Sequence, residues 1–161
     1  MYSNNLICNI LKYIDDNINY KITIEDLENK FFYNRYYIMK LFKKEMKITI
    51  IDYINSLRIY NCILQIRDTS SNLLYIAYKN GFYSIEYFSE TFKNIIGVNP
   101  QTAKNYFRHK KSIPIGKVNL INNSFLKLYY LIKKKEDYLN NMKPNTSNIS
   151  KLSIFKKNRL N

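Results

Sequence analysis

Apolar positions recur every three or four residues along most of the chain, a period that predicts helices rather than strands. Leu6, Ile7, Ile10, Leu11 and Ile14 mark one face of a first helix through about residue 18. KITIEDLENKFF opens a second helix, with Thr23 as N-cap and Glu25 and Asp26 in the first turn, where carboxylates suit the helix dipole. A third, NRYYIMKLFKKEM, starts from Asn34 and aligns Ile38, Leu41 and Phe42. Thr49 caps a long fourth helix whose buried face is expected to hold Tyr53, Ile54, Leu57, Cys62 and Ile66. Ser70, Ser71 and Asn72 then break the chain. LLYIAYKN gives a short helix, and SIEYFSETFKNII a longer one that stops at Gly97 and Pro100.

The pattern repeats imperfectly. Phe42-Lys43-Lys44 returns as Phe92-Lys93-Asn94, a shift of 50, while Leu27 and Tyr33 match Ile76 and Phe82, a shift of 49. One extra residue therefore sits in the second turn. Each copy runs short helix, tight turn, longer amphipathic helix, which is the helix-turn-helix order. Tyr33, Tyr53, Phe82, Phe88 and Phe92 recur at helical spacing and are expected in the core, with stacking on splayed bases as the alternative.

After about residue 112 the character changes. SIPIGKVNLINN shows no helical period. FLKLYYLIKKKEDYLNNM fits a helix over about 124–141, with Phe125, Leu128 and Ile132 aligned, and FLKLYYLI also fits a strand. The last stretch, KPNTSNISKLSIFKKNRLN, is polar and basic and reads as disordered. Residues 113–161 are thus expected to form a basic, partly disordered tail.

Charge sharpens this picture. The chain carries a formal net charge of +14, which suits a polyanionic partner. Abundant Lys, Asn, Ile and Tyr, with Ala77 and Ala103 the only alanines, also fit an A- and T-rich genome, so the excess of lysine has a second source. Residues 113–161 hold 10 Lys and Arg against 2 Asp and Glu, more net charge than the longer part before them. Lys133, Lys134 and Lys135 read first as a solvated face, then as phosphate contacts, and last as a membrane surface. His109, the single histidine, lies in the basic run FRHKK, which suits a surface or phosphate-contact role better than catalysis.

Other chemistry is thin. Cys8 and Cys62 are not at metal-ligand spacing and suit small core residues. No metal or cofactor is expected. No Gly-rich phosphate loop, nucleophile elbow or carboxylate pair is visible, so no enzyme is expected. No apolar run nears the roughly 18 residues of a membrane span. The N-terminus lacks an early basic region, so a cytoplasmic location is expected.

ITIEDL…YNRYYIMKLFKKE, then DYINSLRI…LLYIAYKNGF, then YFSETFKNIIGVNP resembles the DNA-binding domain of AraC/XylS-type bacterial transcription regulators, in particular the small MarA/SoxS/Rob-like branch. The resemblance covers about residues 6–110. Its second half is specific, with Ile76-Ala77, Gly81-Phe82, Phe88, Phe92-Lys93, Gly97 and Pro100 in the expected order. It implies an all-α fold of two helix-turn-helix subdomains, about 24–46 and 72–96, joined by a linker helix over about 50–67. It also implies a monomer that reads two adjacent major-groove segments of double-stranded DNA, about 34 Å apart. Activation by recruiting RNA polymerase is the implied mode. The rival reading is a degenerate helix-turn-helix protein that works through protein contacts.

Carried over residue by residue, the resemblance puts Arg35, Tyr36, Met39 and Lys40 of the first probe helix against bases. Lys40 suits guanine O6/N7, and Tyr36 and Met39 suit thymine methyls. The matching positions of the second probe helix are Ile85, Glu86, Ser89 and Glu90. Lys43, Lys44, Ser84, Lys93 and Arg108 are the candidate phosphate contacts. Glu90 stands where many relatives carry arginine, so the second helix is expected to bind weakly and the first to supply most base contact. The sequence also departs from the pattern at Glu28, where a small residue is expected, and at Phe32 and Lys47, where glycines are expected. A non-glycine in a left-handed cap costs about 1 kcal/mol, so a distorted first unit is expected. Relatives of this kind usually carry a ligand-sensing domain, and the 49 residues after position 112 are too few for one.

Overall fold

A computed structural model describes residues 2–108 and 115–141, and within them every regular element is a helix. The helices are α1 (Tyr2–Asn17), α2 (Ile24–Phe31), α3 (Arg35–Met46), α4 (Ile50–Asp68), α5 (Leu73–Lys79), α6 (Ile85–Ile96), α7 (Pro100–Arg108) and α8 (Ile115–Asn141). His109 lies outside the described residues, as does the polar segment after residue 141.

The starts are set by side-chain caps. Thr23 and Asp26 form a reciprocal capping box on α2, and Asn34, Thr49, Asn72 and Ser84 cap α3, α4, α5 and α6. Asn99 caps α7, accepting the Thr102 amide at 2.7 Å, and Pro100 fills the first helical position, which needs no N–H. The repeat thus runs into the following helix. Lys47 and Gly97 are left-handed caps, and Thr49 and Asn99 each open the next helix.

Two apolar cores result, and α4 contributes to both. Tyr53, Ile54 and Leu57 join Ile7, Ile10, Leu11, Ile14, Leu27, Ile38 and Phe42 in the first. Ile59, Cys62, Ile63 and Ile66 join Ile76, Phe82, Phe88, Phe92, Ile96 and Ala103 in the second. A helix shared in this way is buried almost all round, and even Asn55, Ser56 and Arg58 are buried. Arg58 stands between the two cores. It donates from Nε to the Ile18 carbonyl at 2.9 Å and from Nη2 to the Tyr20 carbonyl at 2.6 Å. Its guanidinium also lies 5.9 Å from the centre of the Phe82 ring. Burial lowers its pKa, which the phenols of Tyr83 and Tyr87 partly offset.

The structure corrects the sequence reading in three places. Tyr33 is not a core residue. It is 41% exposed and stacks on Tyr37, while Phe31, at the end of α2, takes the inward position against Tyr13. The expected distortion of the first unit is absent, since Phe32 and Lys47 adopt the left-handed conformation at φ 58° and 64° and close the turns despite their side chains. The segment given no helical period is helical from Ile115, not from about 124. Along α8, Ile121, Phe125 and Leu128 pack on the second core, and Leu131, Ile132, Tyr138 and Leu139 on the first.

Left-handed positions in the two turns differ in what surrounds them. Phe32 is 92% exposed, so its conformation brings no packing in return. Gly81, at φ 80°, lies so close to its surroundings that an added Cβ would meet the Ile18 carbonyl at 2.8 Å and Arg58 Nε at 3.0 Å. Phe32→Gly is therefore expected to stabilise the fold by about 1 kcal/mol, and Gly81→Ala to destabilise it by more than about 2 kcal/mol. Urea unfolding followed by circular dichroism checks both signs.

Candidate nucleic-acid interface

α3 is held by one face. Ile38, Leu41, Phe42 and Met46 are buried, which leaves Arg35, Tyr36, Tyr37, Met39, Lys40, Lys43 and Lys44 on solvent. Tyr36 is 72% exposed and Met39 39%. Among the described residues, no side-chain hydrogen bond or ion pair engages Lys40, Lys43 or Lys44. The helix thus presents three free ammonium groups and an aromatic–thioether strip on one surface. Phe32 and the Tyr33–Tyr37 stack, with ring centroids 5.6 Å apart, extend that strip past its N-terminus. Residue spacing alone had left these aromatics out of the candidate set.

Arg35 is different. Its backbone amide donates to Glu28 Oε1 at 3.1 Å, its Nε to Oε2 at 3.0 Å, and its Nη2 lies 2.9 Å from Oε2. The small residue expected at position 28 is replaced by a carboxylate that captures this arginine. A sequence reading has no rule for seven residues across a turn, so the pair was not foreseen.

α6 buries Phe88, Thr91, Phe92 and Ile96, and exposes Glu86, Tyr87, Glu90 and Lys93. Ile85 is half-buried against the second core, so only part of it reaches the surface, and Ser89 is likewise half-buried. Ser84 is committed within the chain. Its hydroxyl accepts the Tyr87 amide at 3.2 Å and donates to Glu86 Oε2 at 2.7 Å. That bond holds the Glu86 carboxyl below its usual pKa range, so it is ionised at neutral pH. Arg108, at the end of α7, donates to the Thr69 carbonyl at 3.3 Å, beside Lys104, which reaches the Ser71 carbonyl at 2.9 Å.

Neither cysteine adds chemistry. Both are buried and free, and burial pushes both thiols up in pKa. Among the described residues no cluster of three or more His, Cys, Asp or Glu is placed to hold a metal, and no helix is long and apolar enough to cross a membrane.

Residues 27–106 match the family model of a helix-turn-helix domain. The transposon Tn10 TetD protein of Escherichia coli is 32% identical over 106 residues, 66% of this chain and 74% of that protein. The chain belongs to the AraC/XylS family of DNA-binding transcription regulators. MarA of Salmonella typhimurium, a multiple antibiotic resistance protein, is 27% identical over 103 residues, 64% of this chain and 81% of that one. Among solved structures, a protein of unknown function from Listeria innocua superposes with a TM-score of 0.58 at 32% identity, covering 60% of this chain and 92% of that one. The C-terminal domain of AraT, a response regulator from Geobacillus stearothermophilus, shares the fold with a TM-score of 0.59 at 22% identity. The AraC-family match ends before α8, so the helix laid across both cores lies outside it.

Ser84 tests the local account of α6. Ser84→Ala removes the cap and is expected to cost about 1 kcal/mol of stability, measured by urea unfolding.

Proposed function

We propose that this AraC-family chain is a sequence-specific regulator that binds duplex DNA as a monomer, with α3 as its principal reader. One observation carries the proposal: α3 turns Lys40, Lys43 and Lys44 to solvent, their ammonium groups without partners among the described residues, beside Tyr36 and Met39 and opposite its buried face. Lys43 and Lys44 suit phosphates, which fix position, while Lys40 suits a guanine edge and Tyr36 and Met39 suit thymine methyls. α6 carries Glu86 and Glu90 against Lys93, so its approach to phosphates is disfavoured and it makes the weaker contact. The DNA-binding unit is residues 6–110, with 50–67 as connector between two adjacent groove segments. In this reading the protein acts in the cytoplasm, on the nucleoid, as an activator beside RNA polymerase.

The carboxylates of α6 favour one rival, a protein that has kept the fold and lost DNA affinity. Fluorescence anisotropy on a random-sequence duplex between 50 and 200 mM salt, conditions chosen to span about 10³ or more in affinity for several phosphate contacts, separates the two. Binding that falls linearly on a log–log plot is expected, and Lys43→Ala and Lys44→Ala should each flatten the slope by about one. Binding that ignores salt, or none, supports the rival.

On a site selected from a random pool, replacing thymine by uracil removes only the methyl. In the half bound by α3, this is expected to weaken binding several-fold, and Tyr36→Ala to erase the difference. Glu90→Arg should tighten binding several-fold, and an unchanged affinity counts against the weak role given to α6.

A further inference from the structure

Glu28 stands near the end of α2 and is the residue that spans the turn to α3. One oxygen seals the first amide of α3, and the other holds the guanidinium of Arg35 through Nε and Nη2. An isolated ion pair at the surface contributes little and yields readily to a competing anion. This one is more than that. The carboxylate sits at the positive end of a twelve-residue helix and satisfies a backbone donor that would otherwise be open. To pull Arg35 away, DNA has to break both guanidinium contacts and leave the carboxylate facing the duplex.

We infer that Glu28 sets the specificity of the first probe helix by withholding Arg35 from the bases, so that Tyr36, Met39 and Lys40 do the reading. The inference rests on the DNA-binding reading of α3. An arginine free to reach a base edge is the commonest specific reader of guanine, through O6 and N7. With Arg35 held back, the base pair it would face is left without a polar reader, and the neighbouring contacts are apolar or made by one ammonium. Glu28 also removes one positive charge from the approach to phosphate. Glu28 is thus a positioning residue that selects which side chains of α3 act.

The opposite role is chemically conceivable, since a carboxylate can also aim a guanidinium at a base. The two make contrary forecasts. The experiment uses the full chain as wild type, Glu28→Ala, Arg35→Ala and the double variant. Affinity for a random duplex and for a selected site is measured across the same salt series, with a thermal melt to confirm folding. If Arg35 is withheld, Arg35→Ala changes affinity less than about twofold, and Glu28→Ala tightens random-duplex binding by roughly three- to tenfold. It also steepens the salt slope by about one. The double variant returns to near wild type, and sites selected by Glu28→Ala gain a guanine that wild-type sites lack. Glu28→Gln keeps the shape without the charge, so it gives a smaller gain of the same sign and serves where Glu28→Ala fails to fold.

Equal weakening by Glu28→Ala and Arg35→Ala, with no further loss in the double variant, overturns the assignment and makes Glu28 an aiming group. Unchanged binding by both Glu28 variants overturns it as well. Failure of the wild type to bind random duplex removes instead the DNA-binding reading beneath it.

Discussion

The structure turns on a buried cation that no carboxylate among the described residues pairs with. Arg58 sits 8% exposed where the two cores meet on α4, and its guanidinium is satisfied by the Ile18 and Tyr20 carbonyls and by the face of Phe82. Withdrawing a charge from water is costly unless it is paired or hydrogen-bonded. Here the compensation comes from the chain that leaves α1 and from the turn of the second unit, so both must stay in place around α4. Gly81 is the geometric counterpart. Its missing side chain is what lets the Ile18 carbonyl, the Arg58 guanidinium and the turn backbone meet. The orientation of α5 and α6 against α1 and α4 therefore depends on one arginine and one glycine as well as on the apolarity of the two cores.

A second tie runs along α8. The last turn of a helix leaves carbonyls without partners. Ser124 donates to the Ile96 carbonyl at the end of α6 at 3.3 Å, and Lys134 to the Met46 carbonyl at the end of α3 at 3.0 Å. Lys135 adds an ion pair to Asp15 of α1 at 2.9 Å. One helix thus holds the C-terminal ends of both α3 and α6 while its apolar face covers both cores. Lysines that looked like a solvated run are divided by helical geometry: Lys133 pairs with Glu136 on the surface, whereas Lys134 and Lys135 turn inward.

What the residues disclosed, and what they hid, follows from the range of each interaction. Caps, helix faces and the 50-residue repeat act over one or two turns, so Thr23, Asn34, Thr49, Asn72 and Ser84 were all legible as helix starts or breaks. Arg58 was not, because its partners lie 38 and 40 residues away and a polar residue on a helix is read as exposed. Tyr33 was misplaced because Phe31, two residues before it, packs against the first core in its stead. α7 was missed because Pro100 was taken as a stop, although a proline at the first helical position is also a start. α8 was half seen. Gly116 lowers local propensity, yet a long helix draws its stability from the packing of Ile121, Leu128 and Leu131 further along. On the candidate surface, α3 was readable from its face, but the Glu28–Arg35 pair was not, since it bridges a turn rather than a helical repeat.

Charge placement separates α3 from α6 more firmly than their place in the sequence repeat does. α3 carries Arg35, Lys40, Lys43 and Lys44 against Glu45, whereas α6 carries Lys93 against Glu86 and Glu90. Each helix also has a carboxylate at its own N-terminus, Glu28 on the Arg35 amide of α3 and Glu86 on the Ser84 cap of α6. A helix N-terminus offers amides and positive potential to a phosphate. Filling it from within removes that sequence-independent attraction and leaves recognition to side chains further along. On α3 those side chains are cationic and aromatic, and on α6 they are Tyr87 and Glu90, with Lys93 as its one cation. In the proposed DNA-binding reading, an approaching polyanion meets two helices of the same fold with local charge of opposite sign, and the stronger attraction orients the chain α3 first.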